Sequence, residues 1–489
     1  MERVLLYNPV SESYTMPLGL MAVGSYLPPP QYDVRIYDGR IDPDAFFDEL
    51  SRGDVRAVGL SVLTGRPIQD ALSVSRRAKE IRPDVPIVWG GWHPSILTEQ
   101  CLRLPFVDYV VVGQGETTFH ELMERLRLRE SVDDLPGIAH RVNGSVVTNP
   151  KRAFQDVNGF PPLNYDLIDV PAYFRLKGKR QLDYYSSQGC PYTCTFCADP
   201  YVFNRRWAGL EAERLVTELV AHQRRYGVDD VFFNDDLFFV SQKRLEATCE
   251  ALIAEGSPFT WVAAGRADLL KRYPDPLMEK IRKSGCRRIS IGAESGSQAM
   301  LDQVKKKQTV DDIYQAARRC NDYGIQLAFS FMTGFPKEDP EVLGDTLHLM
   351  KRIKKVNGSY ETPLFFYYAY PGTELTDKLT EMGIDLPEEI DGWVDFDLYR
   401  SNVSWLGQNY KDRVERINFY LRWGFGKPFD SWNLLGWAVR ASSRLRTEID
   451  FYDLAFEMHV VEWLRSLKEP RPKSNVSAQI AFKLKNVCG

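Results

Sequence analysis

The chain has 489 residues, with 62 Lys and Arg against 66 Asp and Glu, a formal charge of −4. That balance excludes a nucleic-acid binder built on bulk positive charge, and a composition 44% hydrophobic and 26% charged excludes a disordered chain. No run approaches the roughly 18 apolar residues of a membrane span, and Met1–Tyr7 lacks signal-peptide flanks, so no transmembrane segment and a cytoplasmic location are expected.

The first 130 residues alternate strand and helix. Strands are predicted at Val4–Asn8, Asp33–Tyr37, Ala57–Val62, Ile87–Trp89 and Tyr109–Val112, short and apolar on both faces as buried parallel strands are. Helices are predicted near Leu18–Leu27, Pro43–Leu50, Pro67–Ile81 and Thr117–Leu126. The alternation predicts an α/β, doubly wound, Rossmann-like domain over 1–130, with its ligand at the strands' carboxyl ends. Residues 131–180 read as a linker carrying a hairpin at Asn143-Gly144, followed by a Pro-rich stretch on the surface.

Over 181–375 the alternation returns with a longer period. Strands are predicted at Asp183–Ser187, Asp230–Asn234, Thr260–Ala264, Arg288–Gly292, Gln326–Met332 and Leu364–Tyr368. Six strands joined by helices predict a partial (β/α)6 barrel of the TIM type, with chemistry at the carboxyl ends. Residues 376–489 read as a helical domain, and 401–489 hold five of the ten tryptophans. These aromatics pack a cap, or form a lid over an apolar substrate; the two readings are compatible.

Eight cysteines are too few for a disulfide scaffold. Three of them, Cys190, Cys194 and Cys197, fall within eight residues just after the first barrel strand. A C-x3-C-x2-C loop offers three thiolates to three corners of an iron–sulfur cubane and leaves the fourth iron open. Gly189 permits close backbone approach, and Pro191 stops the loop from continuing as regular structure. Zinc is the competing reading, but neither a second CxxC nor a nearby His completes a tetrahedral set.

This loop, with Phe196 before its last cysteine, resembles the signature of the radical S-adenosylmethionine (SAM) enzymes. The resemblance implies a 4Fe–4S cluster on Cys190, Cys194 and Cys197. SAM would chelate the open iron and be cleaved by the reduced cluster to a 5′-deoxyadenosyl radical. It also implies SAM contacts at later strand ends. Asn234-Asp235-Asp236 stands where the family holds SAM's amino group, Asp235 replacing the usual Glu; a solvated turn is the alternative. Arg266 would pair with SAM's carboxylate, or else with Asp268. Glu294 and Ser295, in Gly292-Ala293-Glu294-Ser295-Gly296-Ser297, match a stretch beside SAM's ribose and methionine. Gly334-Phe335-Pro336 resembles the adenine-side turn, and Tyr370-Pro371-Gly372-Thr373 the closing turn.

The first domain looks like the cobalamin-binding domain fused ahead of many such barrels. The resemblance implies that Ser61 and Thr64, in the loop after the third strand, lie under the corrin. Gly90, Gly91, Gly113, Gly115 and Glu116 would close around the cofactor, and His93 would touch its nucleotide tail. No D-x-H-x-x-G is present, so base-off cobalamin without His ligation is expected.

Together these point to a cobalamin-dependent radical SAM C-methyltransferase acting on a small-molecule, lipid or tetrapyrrole substrate. A low-potential donor such as flavodoxin or ferredoxin would supply electrons, and nucleic acid is not expected as a partner. The alternatives are a cyclase or rearrangement enzyme with the same cofactors, and a cobalamin or redox sensor without turnover.

Overall fold

The computed structural model describes residues 1–396, 405–425 and 434–468. Two compact units are present. The first takes residues 1–261 with the described residues of 368–402; the second takes 262–367 with the described residues of 403–489.

The first unit opens with β1 (Glu2–Asn8), α1 (Leu18–Ser25), β2 (Tyr32–Asp38), α2 (Pro43–Ser51), β3 (Val55–Ser61), α3 (Arg66–Ile81) and β4 (Ile87–Gly90). Short helices α4 (Trp92–Ile96) and α5 (Thr98–Arg103) precede β5 (Tyr109–Val111), α6 (Glu116–Leu128), β6 (Ile138–Val142) and β7 (Ser145–Thr148). The sheet order is β2-β1-β3-β4-β5-β6-β7. The first five strands are parallel, and the order reverses between β1 and β3, which makes a crevice beyond Asn8 and Ser61.

Side-chain alternation along these strands feeds two separate cores. Leu5, Tyr7, Val58, Leu60, Ile87 and Trp89 pack on the α2–α3 side. Val4, Leu6, Ala57 and Val88 pack on the α1–α6 side with Phe119 and Leu122.

Two segments differ from the sequence expectation. The hairpin placed in the linker continues the sheet, β6 pairing antiparallel with β5, and Asn143 and Gly144 take the positive φ its turn requires. The Pro-rich stretch expected on the surface buries Phe160, Leu163, Tyr165 and Tyr173, irregularly spaced residues that carry no periodic signal. Tyr173, on α7 (Val170–Lys177), donates its hydroxyl to Asp38 at 2.7 Å.

The first unit continues through β8 (Gln181–Tyr184), β9 (Ser187–Gly189), α8 (Asp199–Val202), β10 (Trp207–Gly209), α9 (Ala212–Tyr226), β11 (Asp230–Phe233) and α10 (Gln242–Ala254). Strands β8 and β11 are parallel, and β9 and β10 form a short antiparallel ribbon. β12 (Thr260–Gly265) spans the boundary.

The second unit holds α11 (Ala267–Arg272), α12 (Asp275–Lys283), β13 (Cys286–Glu294), α13 (Gln298–Gln303), α14 (Val310–Asp322), β14 (Gln326–Thr333), α15 (Pro340–Val356) and β15 (Leu364–Phe366), with β13, β14 and β15 parallel. α16 (Glu374–Glu381) belongs to the first unit, while α17 (Gln408–Phe425), α18 (Leu434–Glu448) and α19 (Phe456–Lys468) belong to the second.

Residues 386–396, grouped on sequence with the helical C-terminal region, pack instead on the N-terminal sheet. Ile390 and Trp393 are buried in the α2–α3 core, and Trp393 Nε1 donates to Gln100 at 3.2 Å. Trp432, Phe429 and Cys488 lie outside the described residues. Among the described residues no helix is long and apolar enough to cross a membrane.

Candidate functional site

A cavity of about 390 Å³ opens in the crevice predicted by the strand order. Asn8, Ser61, Gly90 and Gly91 line it from the carboxyl ends of β1, β3 and β4, and Gly113 to Glu116 from the loop after β5. Tyr185, Ser187, Gln188, Phe203 and Asp236 complete the wall from the part of the same unit that carries the three-cysteine loop.

The glycines are there for space. Gly91 has φ +98°, and a Cβ on it would lie 2.9 Å from the Val62 carbonyl oxygen. Ser95 staples the two glycine loops together: its hydroxyl donates to Gly91 O at 2.6 Å and accepts from Gly113 N at 2.9 Å. The sequence carries no periodic signal for this role.

Ser61, Gly90, Gly91, Gly113, Gly115 and Glu116 therefore meet at one cavity, but Thr64 and His93 are not among its lining residues. His93 is fully buried, with Nδ1 3.0 Å from the Thr64 hydroxyl and its ring edge-on to Trp393. Burial pushes its pKa down to about 4. A neutral imidazole satisfies that apolar surrounding better than a charged one, so the position is filled by packing. Leu63, exposed at the tip of the same loop, lines the cavity where Thr64 was expected. None of the described lining residues is a histidine.

Glu116 is buried, and loss of hydration raises its carboxyl above the usual range. It accepts a hydrogen bond from Gln188 Nε2 at 2.6 Å, and Gln188 in turn accepts from Gln114 Nε2 at 2.8 Å.

Cys190, Cys194 and Cys197 lie half-buried on the loop after β9. Gly189 has φ +79°, and a Cβ on it would stand 2.3 Å from Arg206 O across the β9–β10 ribbon, so only glycine lets the loop leave here. Burial raises the Cys190 thiol to about 12 and the Cys197 thiol further. Burial thus favours the protonated thiol at Cys190 and Cys197, and a bound metal would have to displace those protons. Among the described residues no three His, Cys, Asp or Glu side chains gather as ligands of a single ion do. Three cysteines in a C-x3-C-x2-C loop suit three corners of a cubane cluster. Phe196 sits between the last two cysteines, half-buried. Leu375 N, at the start of α16, donates to Thr195 O in this loop at 2.9 Å.

Asp235 does not face a solvated turn. Its carboxylate accepts from Ser186 N and the Ser186 hydroxyl, both at 2.7 Å, and from the Ser187 hydroxyl. Arg244, half-buried on α10, donates to the Ser186 carbonyl and hydroxyl and offsets the charge. With three donors on two oxygens, Asp235 braces the strand leading to the cysteines. The neighbouring Asp236, unlike Asp235, lines the cavity, accepting from Gly189 N at 2.9 Å. Burial raises both Asp236 and Asp199, the charge of Asp235 adding to it at Asp236 and that of Asp236 at Asp199, so that pair retains a proton between them. Neither Arg244 nor Asp199 was singled out on sequence; nothing local marks an Arg on a helix face as the counter-charge of a residue nine positions away.

In the second unit, the other SAM-contact candidates are joined through Lys306. Its Nζ donates to Glu294 Oε1 at 2.6 Å, and its carbonyl accepts from Arg266 Nη2 at 2.6 Å. Arg266 also pairs with Asp268 at 2.9 Å, the alternative left open on sequence. Glu294 is buried with φ +63°, a left-handed conformation costly for a residue with a Cβ. Ser295 Oγ is 3.2 Å from Thr346 Oγ1 and accepts from Ser297 N at 3.1 Å, which shapes the following turn.

Comparison with known proteins agrees with this geometry. Residues 5–123 match the B12 binding domain, and residues 184–350 match the Radical SAM superfamily. An uncharacterized methyltransferase of Pyrococcus horikoshii is 30% identical over 388 residues, covering 76% of this chain and 82% of the relative. The chain belongs to the cobalamin-dependent radical SAM enzymes.

Membership brings three cofactors: a 4Fe–4S cluster, SAM and cobalamin. Another relative, the anaerobic magnesium-protoporphyrin IX monomethyl ester cyclase of Synechocystis, is 26% identical, covering 68% of this chain and 69% of its own. The solved structure of the cobalamin-dependent SAM radical enzyme OxsB, with aqua-cobalamin and SAM bound, shares the fold at a TM-score of 0.72 and 18% identity, covering all of this chain and 80% of that one.

Proposed function

We propose that this enzyme is a C-methyltransferase acting on an unactivated carbon of a small-molecule, lipid or tetrapyrrole substrate. One observation carries the reading: the glycine-rimmed cavity and the approach to the cysteine loop share a single wall within one compact unit. When bound, the cluster and SAM supply hydrogen abstraction, and cobalamin supplies the methyl group.

The chain's own residues position and seal. Cys190, Cys194 and Cys197 would hold the cluster, with Asp235, Ser186 and Arg244 fixing the strand before them. Gly90, Gly91, Gly113 and Gly115 would admit cobalamin against bare backbone, in a cavity that Ser61 and Leu63 also line. Glu294 and Arg266, held through Lys306, would contact SAM. Trp405 donates to Gly334 O at 2.9 Å, and the Tyr410 hydroxyl bonds Thr333 at the carboxyl end of β14. These contacts support reading the aromatic C-terminal region as a lid that would exclude water. A low-potential flavodoxin or ferredoxin would deliver electrons.

The test is turnover of anaerobically reconstituted protein with candidate substrates. Methylation yields S-adenosylhomocysteine and 5′-deoxyadenosine together, with a product 14 mass units heavier. The cyclase relative supports a second reading, ring formation, which would yield 5′-deoxyadenosine without S-adenosylhomocysteine.

A further inference from the structure

We propose that Asp183 is a positioning residue: it fixes the loop between β1 and α1 to the strand that leads into the cysteine loop, and with it the spacing between cobalamin and the cluster. This rests on reading the cavity as the cobalamin site and the three cysteines as cluster ligands.

Residues 9–17 join β1 to α1 without regular structure, and Pro9, Ser11, Thr15, Met16 and Pro17 line the cavity. A connection of this kind moves unless it is tied. Two adjacent residues of it are tied from two directions. Thr15 O accepts from Arg40 Nη2 at 2.8 Å; Arg40 pairs with Asp38, which accepts the Tyr173 hydroxyl at 2.7 Å. Met16 N donates to Asp183 Oδ2 at 2.7 Å, and Lys177 Nζ donates to the same oxygen. Tyr173 and Lys177 stand four residues apart on α7, so one face of that helix serves both ties.

The Lys177 and Asp183 side chains are 6% and 0% exposed. Burial raises the Asp183 carboxyl and lowers the Lys177 ammonium, so both charges stand where water would not put them. A buried ion pair adds little stability over apolar side chains of the same volume, and its best-attested use is to fix register. What this pair fixes is visible. Lys177 offsets the rise at Asp183, and a carboxylate holds an N–H more strongly than a neutral acceptor does. Asp183 lies on β8, seven residues before Cys190, and its own carbonyl accepts from the buried Tyr165 hydroxyl at 2.6 Å. The next carbonyl, that of Tyr184, accepts from the N–H of Asn234, another cavity-lining residue, at 2.7 Å. The strand that continues to the cluster ligands therefore grips the cavity wall directly. Groups that react across two cofactors must meet near contact distance, and a displacement of about 1 Å costs on the order of 100-fold in rate.

The experiment titrates the full chain, its cluster reconstituted, with hydroxocobalamin. Lys177→Met/Asp183→Leu replaces the pair by apolar side chains and takes the acceptor from Met16 N. Lys177→Met/Asp183→Asn removes both charges and keeps an acceptor. Urea unfolding should place both variants near the unaltered chain, which separates stability from positioning. Cobalamin affinity should fall roughly tenfold or more in the leucine variant and return to within about threefold in the asparagine variant. Microwave power saturation of the cob(II)alamin signal, with the cluster reduced, reads the spacing between the two centres. At saturating cobalamin it should change in the leucine variant and match the unaltered chain in the asparagine variant. If the leucine variant is unfolded, Lys177→Met/Asp183→Ser, whose hydroxyl is too short to reach Met16 N, takes its place. Unchanged affinity and saturation without the acceptor, or equal losses with and without it, overturn the proposal. Failure of the underlying reading looks different: the unaltered chain then takes up iron and no cobalamin, and the proposal falls with it.

Discussion

Gln188 and Glu116 are joined by a 2.6 Å hydrogen bond between a residue two positions before Cys190 and the first residue of α6. Gln188 also accepts from Gln114, so one amide ties the cavity rim to the cysteine loop through both of its polar ends. Gln188→Ala should leave the buried Glu116 carboxyl without its donor and cost about 1–3 kcal/mol. Urea unfolding of the cofactor-free chain measures the loss. Cobalamin titration should show weaker binding, because the rim loop is freed. Unchanged stability and affinity would show that the bond holds nothing.

Asp235→Ala removes the acceptor of three donors and the negative charge nearest Arg244. Leaving buried donors unsatisfied costs about 1–3 kcal/mol. Iron content after reconstitution should fall with it, since Ser186 and Ser187 lead directly into the loop. Asp235→Asn keeps one acceptor oxygen and should fall between the two.

Replacing Cys190, Cys194 and Cys197 with Ala should abolish the brown chromophore and the roughly four irons and four sulfides of a cubane cluster. Cobalamin binding should survive, because no cavity-lining residue is changed. Retained iron in the triple variant would refute the ligand assignment.

Gly91→Ala puts a Cβ 2.9 Å from a backbone oxygen at a φ of +98°. Strain of that kind costs about 1–3 kcal/mol, and the loop shift should also weaken cobalamin. Gly144→Ala, in the open hairpin turn with nothing within 4 Å of the added Cβ, keeps the positive-φ penalty without the clash and serves as the control. Equal losses in both would remove the steric argument.

His93 gives a pH dependence of fixed sign. Its folded-state pKa is about 4 against an ordinary 6.5. Between those values the unfolded chain binds the additional proton, so stability falls as pH drops through that window. The contribution reaches about 3 kcal/mol below pH 4. His93→Leu should flatten the difference between unfolding free energies measured at pH 7 and pH 4.5. Parallel curves for the two proteins would contradict it.

The strands and helices of both alternating regions were legible because each carries a long periodic or continuous apolar pattern. The cysteine loop was legible because its spacing is itself chemical. What escaped was set by tertiary contact. Lys306 lies twelve residues from Glu294 and on sequence is one of three consecutive lysines; only the fold turns it inward. His93 was expected, from the resemblance, to touch the cofactor's nucleotide tail, yet it lies on α4 with its side chain buried in the core. Asp235 and Asp236 are adjacent, so their opposite duties follow from strand direction and from no feature of composition.

Trp393 closes the core that Leu5 and Trp89 begin, more than 300 residues after the latter. Synthesis runs from the N-terminus, so the parallel sheet emerges from the ribosome with the α3 flank uncovered. It stays so until about 300 residues beyond Trp89 have been made. The nascent sheet is therefore a chaperone client in waiting, and a fragment cut after residue 130 would expose the Ile390 and Trp393 binding face to its neighbours. Expressed alone, that fragment should aggregate, and adding residues 386–396 on a flexible tether should restore it.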